Sequence, residues 1–225
     1  MNRMLKSSLL IAATLAAIFY ALGRNPAKGA TAVPDPKVDE SLAAAKAHET
    51  VVFAGGCFWG IQAVFEHVKG VTKATAGYSG GSVKNPGYEE VSSGTTGHAE
   101  SVEVVYDPSK ITFGQLLKVF FSVAHNPTEL NRQGPDFGTQ YRSAIFYETP
   151  DQQRIAQAYV DQLTEAKTFS SPIVTQIVPF KAFYRAEDYH QDYAVHNPDN
   201  PYIMMNDLPK VANLKKDFPD LYVKY

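Results

Sequence analysis

An α+β sandwich, a mixed sheet with helices packed on it, is the fold class that three features of the sequence predict. Short β-branched apolar runs alternate with longer stretches of helical spacing. Apolar residues make up 44% of the 225-residue chain, enough for one packed domain. Breaks rich in glycine and proline separate the runs, and no internal repeat is present.

The elements follow in order. Thr50 to Ala54 is a short buried strand, broken at Gly55-Gly56. Ile61, Val64, Phe65 and Val68 then recur at helical spacing until Gly70. Val71 to Tyr78 reads as a second strand, followed by a polar, glycine-rich loop through Gly97. Val102, Val104 and Tyr106 alternate as a third strand that Asp107-Pro108 stops. Phe113, Leu116, Leu117, Phe120 and Phe121 mark an amphipathic helix capped by Thr112. A long loop, His125 to Gly138, leads to a strand over Gln140 to Tyr147, and Pro150 opens a helix running towards Thr168. Ile173 to Val178 is read as the last strand. The order β-α-β-β-α-β-α-β predicts a ferredoxin-like sandwich, helices on one face of the sheet, with a loop-rich C-terminal tail.

Three segments are expected along the chain. Residues 1–32 read as a signal peptide or an uncleaved signal anchor. Arg3 and Lys6 precede an uncharged stretch, Ser7 to Gly23, that is short for a permanent span. The charge at the front places the rest outside the cytoplasm, exported or periplasmic, with a membrane tether through residues 1–23 as the alternative. Residues 33–48, with Pro34-Asp35-Pro36, read as a flexible linker with a short surface helix after Val38. Residues 49–225 form a single catalytic domain, expected as a monomer.

Composition narrows the function. With 21 basic and 23 acidic side chains, nothing electrostatic points to nucleic acid. A single cysteine excludes an intramolecular disulfide and any multi-cysteine metal site, and the six histidines lack zinc-hydrolase spacing, so no metal is expected. That cysteine, Cys57, follows two glycines and precedes a helix, where backbone N–H groups and the dipole favour a thiolate and the turn leaves the sulfur accessible. Phe58 and Trp59 beside it are suited to line an apolar pocket or simply to pack in the core. A thiolate can attack a carbonyl, a disulfide, a peroxide or a sulfoxide, and composition does not choose. A cysteine hydrolase using His98 or His190 with Asp188, and a binding module with an aromatic groove, are the rival classes.

The motifs distinguish them. Gly56-Cys57-Phe58-Trp59-Gly60 resembles the active-site signature of the peptide methionine sulfoxide reductase A family. Gly77-Tyr78-Ser79-Gly80-Gly81, Asn85-Pro86-Gly87-Tyr88, Gly97-His98-Ala99-Glu100, Gly138-Thr139-Gln140-Tyr141-Arg142-Ser143 and Ala186-Glu187-Asp188-Tyr189-His190-Gln191 resemble further family motifs in the same order. The resemblance implies that Cys57 attacks the sulfur of the S-epimer of methionine sulfoxide and is left as a sulfenic acid. It implies that Phe58 and Trp59 hold the substrate methyl group and that Glu100 protonates the oxygen. Tyr88 and Tyr141 would assist by hydrogen bonds, and Asp136 would position the substrate or a water. Oxidised proteins or free methionine sulfoxide would be the substrates, and no bound cofactor is implied. Many family members carry further cysteines near the C-terminus that resolve the sulfenic acid. Here residues 190–225 hold none, so an external thiol reductant is expected, either a thioredoxin- or glutaredoxin-like protein or a small thiol.

The residues themselves fit these roles. Sulfoxide oxygen leaves only once protonated, which requires a neutral carboxylic acid near pH 7. Alternation puts Glu100 on the apolar strand face of Val102, Val104 and Tyr106, where burial raises its pKa, and turns Glu103 to the other face. His98 reads as a structural hydrogen-bonder in a tight loop, His190 as part of a polar helix cap, and Arg142 as an ion-pair partner.

Overall fold

The computed structural model describes residues 30–225, so most of the expected leader, residues 1–32, lies outside the described residues. Strands β1 (Glu49–Gly55), β2 (Val71–Ser79) and β3 (Ala99–Tyr106) stand where the apolar runs placed them. A two-residue hairpin, β4 (Arg132–Gln133) and β5 (Asp136–Phe137), interrupts the long loop before β6 (Ser143–Tyr147). Two more strands follow, β7 (Gln176–Pro179) and β8 (Phe183–Arg185). The six-stranded sheet has the order β7-β6-β1-β3-β2-β8. It is mixed: β6 and β7 are parallel and the other pairs antiparallel.

Helices α1 (Phe58–Glu66), α2 (Tyr88–Ser92), α3 (Phe113–Val119), α4 (Pro150–Glu165), α5 (Tyr193–His196) and α6 (Leu208–Asp217) complete the fold. Phe65 of α1, Leu116 of α3, Tyr159 of α4 and Leu214 of α6 share one apolar cluster with Phe53, Val102, Val104 and Ile145 of the sheet. Removing these side chains from water is the main stabilising contribution. The opposite sheet face carries a smaller cluster of Val52, Ala54, Ala99, Ala144 and Phe146, covered by Val178, Phe180 and Phe183. Thr112 caps α3 by accepting the Gln115 N–H at 3.1 Å, and Pro150 opens α4 behind the Thr149 cap.

Four differences from the sequence reading have physical causes. Residues 139–141 form a 3₁₀ turn and the strand starts at Ser143, because Gly138 turns the backbone at φ +132°. The glycine-rich loop after β2 contains α2, whose first turn is closed by Glu90 accepting the Gly87 N–H at 2.9 Å. Val178 is not in the last strand: β8 adds to the β2 edge, and the tail beyond it carries α5, a π-helical turn Ile203–Asp207 and α6 among its loops. Short amphipathic pieces of this kind give too few periods to read from sequence.

The segment 33–48 contains no helix and lies along α3 and α4. Asp39 accepts the Gly114 N–H at 2.9 Å and the Thr112 hydroxyl at 2.6 Å, and Glu40 accepts the Phe113 N–H at 2.9 Å. The N-terminal amides of α3, which have no partner within the helix, thereby gain acceptors from this strap. Pro34 accepts from the Tyr159 hydroxyl at 2.7 Å and fastens it to α4.

Candidate active site

Cys57 occupies the N-cap position between β1 and α1. Gly56 precedes it at φ +97°, and a Cβ there would lie 2.5 Å from the Gln133 side chain, so only glycine fits. Gln133 in turn holds Asn126 through the Asn126 N–H at 3.0 Å and its carbonyl at 3.1 Å. The hairpin carrying Asp136 is thus packed directly on the turn that presents the thiol.

The sulfur is more enclosed than the turn suggested. Cys57 is 8% exposed. Burial, and then the nearby Glu100 carboxyl, push its thiol well above the usual range, whereas the Trp59 N–H and then Lys210 pull the other way. The helix N-terminus alone therefore does not hold a resting thiolate; desolvation outweighs it.

Glu100 is only 2% exposed and lies on the same sheet face as Val102, Val104 and Tyr106, as alternation required. It accepts the Phe58 N–H at 3.0 Å, one residue past the sulfur. Burial pushes its carboxyl up to about 8, opposed by that N–H bond and raised further by Asp136. At neutral pH the site thus holds a carboxylic acid beside a thiol. Glu103, on the other face, is partly exposed.

Tyr88 and Tyr141 are half-buried, and burial raises both phenols, with the Glu100 charge adding to it. Both are donors at any physiological pH. Asp136 is raised by burial and accepts the Tyr202 hydroxyl, which holds it down. All seven residues singled out in the sequence, Cys57, Phe58, Trp59, Tyr88, Glu100, Asp136 and Tyr141, meet around one centre.

An aromatic wall completes that centre. Trp59 stacks on Tyr193 at 3.9 Å and meets Tyr202 edge-on at 6.0 Å. Its indole N–H donates to His190 Nδ1 at 3.2 Å, and the His190 ring contacts Phe58 at 5.0 Å and Tyr88 at 4.4 Å between centroids. His190 thus orients Trp59 besides ending a 3₁₀ turn at Asp188–His190. Glu187 fixes Tyr88 from the same segment, accepting its N–H and the Tyr78 hydroxyl, each at 2.9 Å.

Tyr193, Tyr202, Asp207 and Lys210 escaped the sequence reading, and Glu187 entered it within a motif but without a role of its own. Their one visible signal was the density of tyrosine in a segment otherwise resembling loop.

Neither histidine serves as the base of a cysteine hydrolase. His98 accepts from the Gly81 N–H at 3.1 Å and pairs with the Val83 carbonyl at 2.7 Å, a loop staple. Arg142 makes no ion pair among the described residues; it donates to the Thr139 and Gly97 carbonyls at 2.9 and 3.0 Å.

Known proteins share this arrangement. The family model described as peptide methionine sulfoxide reductase matches residues 49–221. Peptide methionine sulfoxide reductase MsrA 2 of Mesorhizobium japonicum is 64% identical over 179 residues, covering 80% of this chain and 92% of the relative. The Synechocystis protein of the same name is 52% identical over 190 residues, covering 84% and 89%. Among solved structures, methionine sulfoxide reductase A of Corynebacterium diphtheriae has a TM-score of 0.59 at 35% identity, covering 78% of this chain and 91% of that one. Reduced Mxr1 of Saccharomyces cerevisiae has a TM-score of 0.61 at 32% identity, covering 73% and 92%. With a buried cysteine, a neutral glutamic acid and an aromatic wall at one centre, the chain belongs to the peptide methionine sulfoxide reductase family, oxidoreductases that return methionine sulfoxide to methionine.

Proposed function

We propose that Cys57 is the atom-transfer centre of this reductase and that Glu100 is its acid. The observation that carries this reading is the Glu100–Phe58 hydrogen bond, which sets a buried carboxyl within one residue of the only cysteine.

The S-epimer of a methionine sulfoxide enters with its methyl group against Phe58 and Trp59, where apolar contact replaces water. Its oxygen faces Glu100, Tyr88 and Tyr141, three proton-bearing groups. As Cys57 attacks the sulfoxide sulfur, Glu100 protonates the oxygen, so that charge does not build up in an apolar cavity. The sulfur–oxygen bond of the substrate breaks, the thiol proton of Cys57 replaces the one Glu100 gave up, Cys57 gains the hydroxyl, and methionine leaves. Cys57 is oxidised by two electrons to the sulfenic acid while the substrate is reduced by two. Asp136, held by Tyr202, orients the substrate or a water.

No second cysteine exists to form an internal disulfide. An external thiol then attacks the sulfenic sulfur, releasing water and forming a mixed disulfide. A second thiol displaces Cys57 and carries away the disulfide. The donor is a thioredoxin- or glutaredoxin-like protein or a small thiol. The charge and apolar pattern of residues 1–32 supports carrying out this repair of oxidised proteins outside the cytoplasm.

Mass spectrometry after one turnover without thiol tests the reading, with the two sulfoxide epimers kept separate. The expected result is one methionine per enzyme and one added oxygen on Cys57, for the S form alone. Equal turnover of both epimers, or none, rejects it.

A further inference from the structure

A buried ion pair lies against the nucleophile's helix and has no part in the steps above. Asp207 ends the Ile203–Asp207 turn and is fully buried, with one carboxylate oxygen 3.1 Å from Lys210 Nζ and the other without a partner. Lys210, in the first turn of α6, is mostly buried too, its side chain 18% exposed. Both touch Gly60 of α1, where a Cβ would lie 2.6 Å from the ammonium nitrogen. Gly60 is three residues beyond Cys57, hence on the same helix face, and helical Cβ atoms tilt toward the N-terminus. The glycine that closes the Gly56–Gly60 motif is therefore the gap through which a C-terminal cation reaches the thiol's side of α1.

Apart from the Trp59 N–H, which also favours the thiolate, the groups around the sulfur make ionisation costly. Glu100 comes from β3, Asp136 from β5, and Asp207 from the tail. Tyr88 faces it from α2, Tyr141 from the 3₁₀ turn, and Tyr202 from the tail, all phenols that stay neutral. His125 is buried and held neutral, with a pKa pushed down to about 3 by burial. Lys210 is the cation of this set.

We propose that Lys210, anchored by Asp207, is a positioning residue for the reaction: its ammonium favours the ionised form of Cys57 at the moment of attack. The proposal deepens the sulfoxide chemistry above and rests on Cys57 being its nucleophile. It also gives the buried pair a role beyond packing, since a buried ion pair is weak evidence of stabilisation by itself.

The test is alkylation of the full-length protein by iodoacetamide, a neutral reagent, followed across pH; with a single cysteine the readout has one source. Lys210→Met and Lys210→Gln are expected to move the midpoint up by about one pH unit and to slow alkylation near neutrality about tenfold. Lys210→Arg, which keeps the charge, is expected to stay within about threefold of the native rate. Neutral variants that follow the native profile overturn the proposal, as does an arginine variant shifted as far as the methionine one. The assay needs no sulfoxide, so a protein inert toward sulfoxides would end the proposed function without touching this result.

Discussion

Glu100 and Phe58 are joined by a hydrogen bond of 3.0 Å from the Phe58 amide to the carboxyl, although they are 42 residues apart in sequence. One bond ties the sheet to the first turn of α1, and so fixes the Glu100 carboxyl relative to the Cys57 thiol. It also opposes, without cancelling, the effect of burial on the acid.

Replacing Glu100 by glutamine keeps an acceptor for that amide but removes the transferable proton. The expected loss in single-turnover rate is about 10²- to 10⁴-fold, with the fold unchanged by circular dichroism. In the native protein the acid is available below pH about 8 and is lost as pH rises through that value. The alkaline limb of the single-turnover profile should therefore disappear in the variant.

Stability should follow the same direction with pH for the same group. The carboxyl titrates near its ordinary value in the unfolded chain and near 8 when folded. Glu100 thus favours the folded state below the ordinary carboxylate range and loses that advantage between there and about pH 8. Thermal melts should place Glu100→Gln above the native protein at pH 8.5 by more than at pH 5.

Trp59 is held on both sides, by Tyr193 stacking and by its bond to His190. Trp59→Phe, which loses that bond and some apolar area, should raise KM by about 5- to 10-fold. His190→Ala should act in the same direction through Trp59. Steady-state kinetics on a methionine sulfoxide peptide separates KM from kcat and would show a kcat effect instead if His190 were a proton carrier.

Gly56→Ala combines a left-handed backbone with a clash against Gln133. A destabilisation of about 2 kcal/mol is expected, read as a drop in the denaturation midpoint. Gln133→Gly in the same chain should recover the steric part but not the backbone part.

Strands β1, β2 and β3 and helices α1, α3 and α4 were legible because each rests on a local pattern, and the seven candidate site residues were named on motifs. β1 and β3 alternate or run apolar, α3 repeats every third or fourth residue behind its Thr112 cap, and Pro150 marks the start of α4. Glu100 was legible twice, from its motif and from its register with Val102. What was not legible depends on contacts distant in sequence. Nothing local marks Asp207 as buried, since its shelter is Gly60 on another helix. The ionisation of Cys57 was misread for the same reason: a helix terminus is visible in sequence, whereas the packing that desolvates the thiol is not.

The strap formed by residues 31–43 carries a practical consequence for anyone trimming the protein. Cutting just before Glu49, where the first strand begins, would strip three hydrogen bonds supplied by Asp39 and Glu40 from the start of α3. Shortened versions meant to dispense with the leader should accordingly retain the chain from about Thr31 onward, whose amide and carbonyl both bond Ser122.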